Sequence, residues 1–295
     1  MKIDKIVIVG KDTMRHFRLK WKNMALVVRV SDAGFVERAV HLLDLAVEIS
    51  DTAGSVPPDI TAFQQGTEYV LQTSRKIWKT EKKHDFLVYF ITLISAHFLL
   101  NCTETVLHAS AIVVNEEAVL LSGEARTGKS ALCLTAWQQG FHVIGDDWII
   151  LDSSKGEVQI FPKPLKPRLP DLKMPQELQD LHMPSRDYLV GSLNGEFRLV
   201  LGRRLKNMVP SDVSYPIRNL FLIERGARTE CLPASRDTVL KTMLEQVKSR
   251  HSSPLRILPF LERLWKKEQV YRLIVGENDL QGGFEFMAGR RSGLI

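Results

Sequence analysis

The sequence predicts an α/β protein with a phosphate-binding-loop (P-loop) domain and a small β-rich N-terminal region. The apolar residues 117–122 lead directly into Gly-x-x-x-x-Gly-Lys-Ser at residues 123–130, and a helical pattern follows, as in a strand, P-loop and helix unit. Upstream, residues 3–9 and 25–30 are rich in β-branched side chains, which favour strands. These patterns divide the chain into three parts: a β-rich region (1–84), a P-loop domain (85–288) and a tail (289–295).

Between the β-rich segments and the P-loop, the chain changes from polar to apolar. Residues 46–58 end in a Gly, Ser and Pro cluster that predicts a loop, while the polar residues 62–86 are compatible with strands or with an exposed helix. Residues 85–100 have the apolar spacing of a helix packed on a core. His97 lies within this stretch, which is shorter than a membrane span, so we expect a buried helix and no membrane contact.

The residues around and beyond the P-loop alternate between strand and helix patterns. Residues 106–114 and 117–122 predict two strands joined by a turn at Asn115-Glu116. A helix over 129–139 should end at Gly140, a residue type suited to the left-handed end of a helix. The further predicted elements are a strand at 142–152, a proline-rich loop at 162–175, a weakly patterned stretch at 176–213, a strand at 216–224, helices at 235–247 and 254–268, a strand at 270–276 and a helix at 277–288.

Composition narrows the class of protein. Hydrophobic residues at 44% and charged residues at 25% are ordinary for a soluble globular chain, which excludes the disordered and fibrous classes. A net charge of +6 suits phosphates and acidic peptides, but no nucleic-acid-reading motif is visible, so nucleic acid is not an expected partner. Cys102, Cys133 and Cys231 lack disulfide or zinc spacing, and residues 1–10 lack the pattern of a signal peptide. We therefore expect a cytoplasmic protein.

The P-loop supplies the candidate nucleotide site. Successive backbone N–H groups of such a loop wrap a phosphate at the start of a helix. The lysine places a positive charge on the terminal phosphates, and the serine hydroxyl completes a magnesium shell. The pattern predicts ATP and Mg²⁺ as cofactors, with a binding segment that comprises Gly123, Glu124, Ala125, Arg126, Thr127, Gly128, Lys129, Ser130 and Ala131.

Two adjacent carboxylates, Asp146 and Asp147, follow the apolar residues His142-Val-Ile, where an α/β sheet would bring a strand end beside the P-loop. Neighbouring side chains point in different directions. One carboxylate can therefore hold magnesium or its waters while the other accepts a proton from an attacking hydroxyl. Further candidates are Arg218, which could reach a phosphate, and Lys163 and Lys166, which could line a channel for the acceptor.

Residues 106–151 resemble the core of the bacterial HPr kinase/phosphorylase family, whose P-loop domain is related to phosphoenolpyruvate carboxykinase. The resemblance rests on the P-loop, on a histidine before it, on the Gly140-Phe141-His142 turn and on the paired aspartates. It does not extend to residues 1–105, and residues 164–213 contain no copy of the long signature segment of the family.

The resemblance implies a fold, a set of roles and an activity. Lys129 would bind phosphates, Ser130 and Asp146 would hold magnesium, Asp147 would accept the proton of the substrate hydroxyl, and His108 would orient the carboxylates. The implied activity is an ATP- and Mg²⁺-dependent kinase that acts on a Ser or Thr hydroxyl of a peptide or protein.

The chain looks most like divergent relatives of this fold that resemble kinases for the C-terminal serine of lasso-peptide precursors. Alternatives are an HPr-like protein serine kinase and a nucleotide-binding regulatory or switch ATPase, although no Asn-Lys-x-Asp motif for reading guanine is present. The hexamers formed by the family make a homo-oligomer compatible with the resemblance.

Overall fold

A computed structural model describes residues 14–49, 58–169, 183–210, 213–248, 251 and 253–290. Within these residues the chain is a mixed α/β structure with three β-sheets, which confirms the predicted fold class at that level. The predicted strand at 3–9 and the predicted tail from residue 291 onward lie outside the described residues.

The first sheet and two helices form the N-terminal region. The strands are β1 (Arg15–Trp21), β2 (Met24–Val30), β3 (Ala46–Ile49), β4 (Ile60–Gln65), β5 (Glu68–Thr73) and β6 (Ile77–Thr80), and the helices are α1 (Ala33–Leu43) and α2 (Lys83–Asn101). The strands lie in the order β3-β1-β2-β4-β5-β6. The predicted strand at 25–30 is confirmed as β2, residues 46–49 form β3 rather than part of a loop, and the undecided residues 62–86 are mainly strands.

Helix α2 contributes large side chains to the core of this first sheet. Phe86, Phe90 and Phe98 are fully buried in one hydrophobic cluster with Phe17 of β1 and Phe35 of α1. By length and composition alone, α2 is long and apolar enough to cross a membrane, contrary to the expectation that this stretch is too short. The predicted division between residues 84 and 85 falls within the first turn of α2, a helix that packs on the first sheet.

The second sheet carries the P-loop. Its strands are β7 (Thr105–Leu107), β8 (Ser110–Val114), β9 (Glu117–Ser122), β10 (His142–Gly145), β11 (Ile149–Asp152), β12 (Glu157–Ile160), β16 (Ser214–Gly226), β17 (Glu230–Pro233) and β18 (Val270–Gly276). A third, smaller sheet contains β13 (Arg168–Leu169), β14 (Tyr188–Leu193) and β15 (Glu196–Leu201). The remaining helices are α3 (Lys129–Gln138), α4 (Arg236–Gln246), α5 (Leu258–Lys266), which a 3₁₀ turn (Pro254–Ile257) precedes, and α6 (Leu280–Met287).

Strand directions bring several chain ends to one edge of the second sheet. β9, β16 and β18 run parallel to each other, and β8 runs antiparallel to β9. Because β10 is antiparallel to β8, it runs in the same direction as β9. The carboxyl ends of β9, β10, β16 and β18 therefore lie at the same edge as the start of β8, and we call this the loop edge.

Both faces of the second sheet are buried. Val119 and Leu121 of β9 pack in a cluster with α3 and α6, whereas the alternate residues Ala118 and Leu120 pack in a cluster with α4 and α5. Strands covered on both faces are apolar throughout and lack polar alternation. This is why the sequence of this region predicts strands without indicating where one strand ends and the next begins.

Two segments that were each predicted as one continuous strand form two separate strands in the structure. The predicted strand at 106–114 is interrupted at His108-Ala109 and forms β7 and β8, and the predicted strand at 142–152 is interrupted at Asp146-Asp147-Trp148 and forms β10 and β11. β10 and β11 belong to distant parts of the strand order β10-β8-β9-β16-β12-β11-β7. The weakly patterned stretch at 176–213 contains the hairpin of β14 and β15, with a turn at Asn194-Gly195 where both residues have positive φ.

We expect Phe86→Ala to destabilise the protein by about 3–5 kcal/mol, because removal of a fully buried ring leaves a cavity. The Phe86 ring lies 4.7 Å from the ring of Phe35 and 5.4 Å from that of Tyr69, measured between centroids. Urea unfolding measures the loss. Leu100→Ala on the same helix is the control, since Leu100 is 40% exposed and should lose less than about 1 kcal/mol. Equal losses in the two variants would contradict the packing of α2 described here.

Candidate active site

The P-loop connects the end of β9 to the start of α3 through backbone that favours glycine. Gly123 and Gly128 have φ values of 134° and 107°, which side-chain-bearing residues rarely adopt. A Cβ atom on Gly123 would also lie 2.6 Å from the carbonyl oxygen of Ile223 in β16. The first turn of α3 has no side-chain cap, so no side chain satisfies its N–H groups.

Lys129 is buried at the start of α3, and its ammonium group contacts the P-loop itself. Nζ donates to the carbonyl oxygens of Gly123 at 2.8 Å and Glu124 at 2.6 Å. Burial lowers the pKa of Lys129 to about 8. The ammonium group therefore lies within the loop that the sequence predicts to bind phosphate, and a phosphate would offer it a stronger partner than two neutral carbonyls.

Asp146 follows β10 and connects three segments at the loop edge. Its backbone carbonyl accepts from the hydroxyls of Ser110 at 2.7 Å and Ser130 at 3.3 Å. Its buried carboxylate accepts from the backbone N–H of Lys166 at 2.9 Å. Asp146 thus lies next to Ser130, as the sequence predicts, but its backbone makes that contact and its carboxylate holds the segment around Lys166.

Asp147 is the more accessible of the two aspartates, with its side chain 34% exposed. Its Oδ1 lies 2.8 Å from Nε2 of His108, and its Oδ2 is in contact with the ammonium of Lys163. Lys163 is buried, with Nζ 3.8 Å from the centroid of the Trp148 ring. Burial, together with the charge of Lys166, lowers the pKa of Lys163 well below its usual range. Both oxygens of Asp147 are thereby held in fixed positions.

His108 reaches Asp147 because the chain leaves the sheet between β7 and β8. Its backbone N–H donates to the carbonyl of Gln246 at 2.7 Å, and its Nδ1 lies 2.7 Å from Gln246 Oε1. Gln246 ends α4 and is 138 residues away in sequence. No local pattern connects the two residues, so the sequence gives no signal for Gln246 as part of this site.

The contacts of His108 determine where its protons lie. An amide oxygen only accepts, so Nδ1 carries a proton in the contact with Gln246. Nε2 lies 2.8 Å from Asp147 Oδ1, so the two groups form an ion pair when the imidazole is doubly protonated. Burial lowers the pKa of His108, whereas the hydrogen bond to Gln246 opposes that shift. Asp147 is thus held at Oδ1 by an imidazole whose charged form is disfavoured by burial.

A group of cationic side chains surrounds the exposed side of these residues. The carboxylate of Glu196 contacts Arg126 Nη2 at 3.4 Å, Arg168 Nε at 3.1 Å and the guanidinium of Arg198. Arg198 Nη1 also donates to the carbonyl oxygen of Lys166 at 3.4 Å. Three arginines share this one carboxylate, so positive charge is in excess beside the P-loop, and the site favours anions.

Of the three further candidates from the sequence, Lys163 and Lys166 lie in the site and Arg218 does not. Lys163 contacts Asp147, and Lys166 donates from Nζ to Thr92 Oγ1 at 2.9 Å. Arg218 instead pairs with Glu117, at 3.8 Å, at the start of β9. Six residues of strand separate Glu117 from Gly123, which is about 20 Å. The hypothesis that Arg218 reaches a phosphate in the P-loop is therefore wrong.

The donor set is compatible with magnesium bound together with a nucleotide. Within residues 14–49, 58–169 and the later described segments, no three His, Cys, Asp or Glu side chains cluster to form a metal site by themselves. Magnesium usually keeps several waters and takes one or two carboxylates plus phosphate oxygens. The Ser130 hydroxyl and the neighbouring carboxylate of Asp146 fit that requirement.

Comparisons with known proteins show a distant structural likeness. No family model matches the sequence, and no curated protein matches it. A solved structure of the HPr(Ser) kinase/phosphatase from Coxiella burnetii matches with a TM-score of 0.31 and 15% sequence identity, over 62% of this chain and 93% of that chain. At this TM-score, the function must be argued from the residues of the site itself.

We expect Lys166 to make the stability of the protein depend on pH. Burial lowers its pKa to about 8, whereas a lysine in the unfolded chain titrates near ~10.4. Between these values the folded state binds fewer protons than the unfolded state, so the contribution of Lys166 to the free energy of unfolding rises with pH. The difference in urea midpoint between wild type and Lys166→Met should therefore increase in favour of wild type from pH 7 to pH 9.5.

The matched control is Lys241→Met, which removes an exposed lysine from α4. Its difference from wild type should stay nearly constant over the same pH range. A constant difference for Lys166→Met as well would contradict the burial of the Lys166 ammonium group.

Proposed function

We propose that the protein is an ATP- and Mg²⁺-dependent kinase that transfers a phosphoryl group to a Ser or Thr hydroxyl of a peptide or protein. One observation carries the proposal. A carboxylate with both oxygens held, Asp147, lies at the same sheet edge as a P-loop with a buried lysine and a serine at the start of α3. A phosphate-binding loop beside a positioned proton acceptor is the combination that hydroxyl phosphorylation requires.

The loop residues would hold the nucleotide. The uncapped N–H groups of the first turn of α3 and the ammonium of Lys129 suit the phosphates, and the hydroxyl of Ser130 with the carboxylate of Asp146 suits magnesium. When bound, MgATP supplies the transferable phosphoryl group and neutralises the charge that develops during transfer.

The other residues of the site act on the acceptor hydroxyl. Asp147 accepts its proton, while His108 and Lys163 orient the carboxylate through the contacts at Oδ1 and Oδ2. Gln246 acts one step further away, because it fixes the imidazole ring of His108 at Nδ1. Catalysis in this scheme comes from positioning and from charge complementarity.

The positive charge near the P-loop favours a negatively charged acceptor. Three arginines around Glu196 lie beside the P-loop and favour an acidic or C-terminal carboxylate-bearing peptide over a basic one. The sequence resemblance adds the C-terminal serine of a lasso-type precursor as the first acceptor to test, with an HPr-like protein as the second. We place the reaction in the cytoplasm, where ATP and such acceptors meet.

We expect Asp147→Asn to lower the rate of phosphoryl transfer by about 10²–10⁴-fold while ATP binding stays within about threefold, because the amide cannot accept the proton. Mass spectrometry of serine-containing peptides incubated with Mg²⁺ and ATP measures transfer, and titration calorimetry measures ATP binding. Glu116→Gln is the control, since Glu116 lies in the exposed β8–β9 turn at the other edge of the sheet. A mild effect of Asp147→Asn would remove Asp147 from the role of base.

We expect Lys129→Ala to abolish transfer and to weaken ATP binding by at least about 10-fold, because the loop loses its only lysine contact to the phosphates. If wild type binds and hydrolyses ATP but transfers no phosphoryl group to any peptide or protein acceptor, the regulatory ATPase alternative replaces the kinase. Retained transfer by Lys129→Ala would exclude the P-loop from the mechanism.

We expect His108→Ala to lower the transfer rate by about 10-fold or more per folded molecule, because Asp147 loses the partner of its Oδ1. Its pH profile should shift as well, since a titratable group in contact with Asp147 is removed. Gln246→Ala should show the same shift to a smaller degree. If His108→Ala only lowers the melting temperature and leaves rate and pH profile unchanged, His108 has a packing role alone.

A further inference from the structure

Arg225 lies against the P-loop, although the sequence does not mark it as a site residue. It is at the end of β16, the long strand that pairs in parallel with β9 on one side and with β18 on the other. A Cβ atom on Gly128 would lie 2.9 Å from Nη2 of Arg225 and 3.2 Å from its Cζ. The guanidinium group therefore lies directly beside the last glycine of the loop, close enough that a Cβ atom there would displace it.

The other arginines of this part of the sheet have carboxylate partners. Arg218 on the same strand pairs with Glu117, Arg228 pairs with Glu230, and Arg272 pairs with Glu224, the residue before Arg225. Among the described residues, the side chain of Arg225 makes no hydrogen bond and no ion pair, and it is exposed. A guanidinium next to a phosphate-binding loop thus keeps all of its N–H donors available.

The side chains around the P-loop carry a positive charge, which favours the binding of an anion. Arg225 and Lys129 are both cationic, and the one carboxylate within residues 123–131 is that of Glu124, which is exposed. The ammonium of Lys129 is already engaged with two loop carbonyls. The planar N–H groups of a guanidinium match the oxygens of a phosphate.

We propose that Arg225 binds the polyphosphate of the nucleotide held by the P-loop. This assignment rests on the proposed function, because it presumes that the loop binds ATP. It adds a second cation to the site from β16, so the phosphates are bound both by the loop and by the neighbouring strand. Gly128 then has two roles: its backbone turns the loop, and its missing Cβ admits the arginine.

The experiment measures the dissociation constants of MgATP and of inorganic tripolyphosphate for wild type, Arg225→Ala, Arg225→Lys and Arg218→Ala. Arg218→Ala is the matched control because it removes the same charge from the opposite end of the same strand. We expect Arg225→Ala to weaken both ligands about 10–100-fold, Arg225→Lys to weaken them less, and Arg218→Ala to change them by less than about twofold. Thermal melts confirm that each variant is folded before binding is compared.

The outcomes separate this assignment from the proposed function. If wild type binds MgATP and Arg225→Ala binds it as Arg218→Ala does, the assignment is overturned and the kinase proposal stands. If Arg225→Ala weakens ATP but binds tripolyphosphate as tightly as wild type does, the guanidinium contacts the base or ribose, and the assignment is overturned. If wild type binds no nucleotide, the proposed function fails and this inference fails with it.

Discussion

The buried carboxylate of Asp146 is the constraint on which the rest of the site depends. A buried carboxylate is costly unless hydrogen bonds compensate the loss of water, and here the backbone N–H of Lys166 provides one of them. The same residue accepts through its carbonyl from Ser110 and Ser130. One residue therefore fixes the start of β8, the first turn of α3 and the segment that carries Lys163 relative to each other.

This arrangement gives the two neighbouring aspartates different tasks. Asp146 is buried and holds the backbone, so Asp147 next to it must point toward solvent, where His108 and Lys163 meet its two oxygens. Those partners come from the chain break after β7 and from the segment that Asp146 secures. The position of the candidate base is thus a consequence of a hydrogen bond one residue away, and the arginines around Glu196 set the electrostatic field in which it acts.

Sequence reasoning succeeded where the signal is local and failed where it is not. The P-loop, β9, α3 and β18 follow from short patterns of glycines, caps and apolar residues, and the structure has them at nearly the predicted positions. The breaks at His108 and at Asp146-Trp148 were missed because strands buried on both faces have no polar residue to mark a change of partner. Gln246 and Arg225 enter the site through pairings more than 90 residues distant in sequence, for which one sequence contains no signal.

The ring of Trp148 links the site to the other half of the molecule. It lies over the ammonium of Lys163 and makes an edge contact with Phe161, which in turn contacts Trp21 of β1. Ile150 and Phe161 belong to the same hydrophobic cluster as α1 and α2. The N-terminal sheet therefore supports the candidate site, and a fragment cut between β6 and α2 would lose the packing that holds Trp148 and Lys163 in place. The folding of the two halves and the geometry of the candidate site therefore depend on each other.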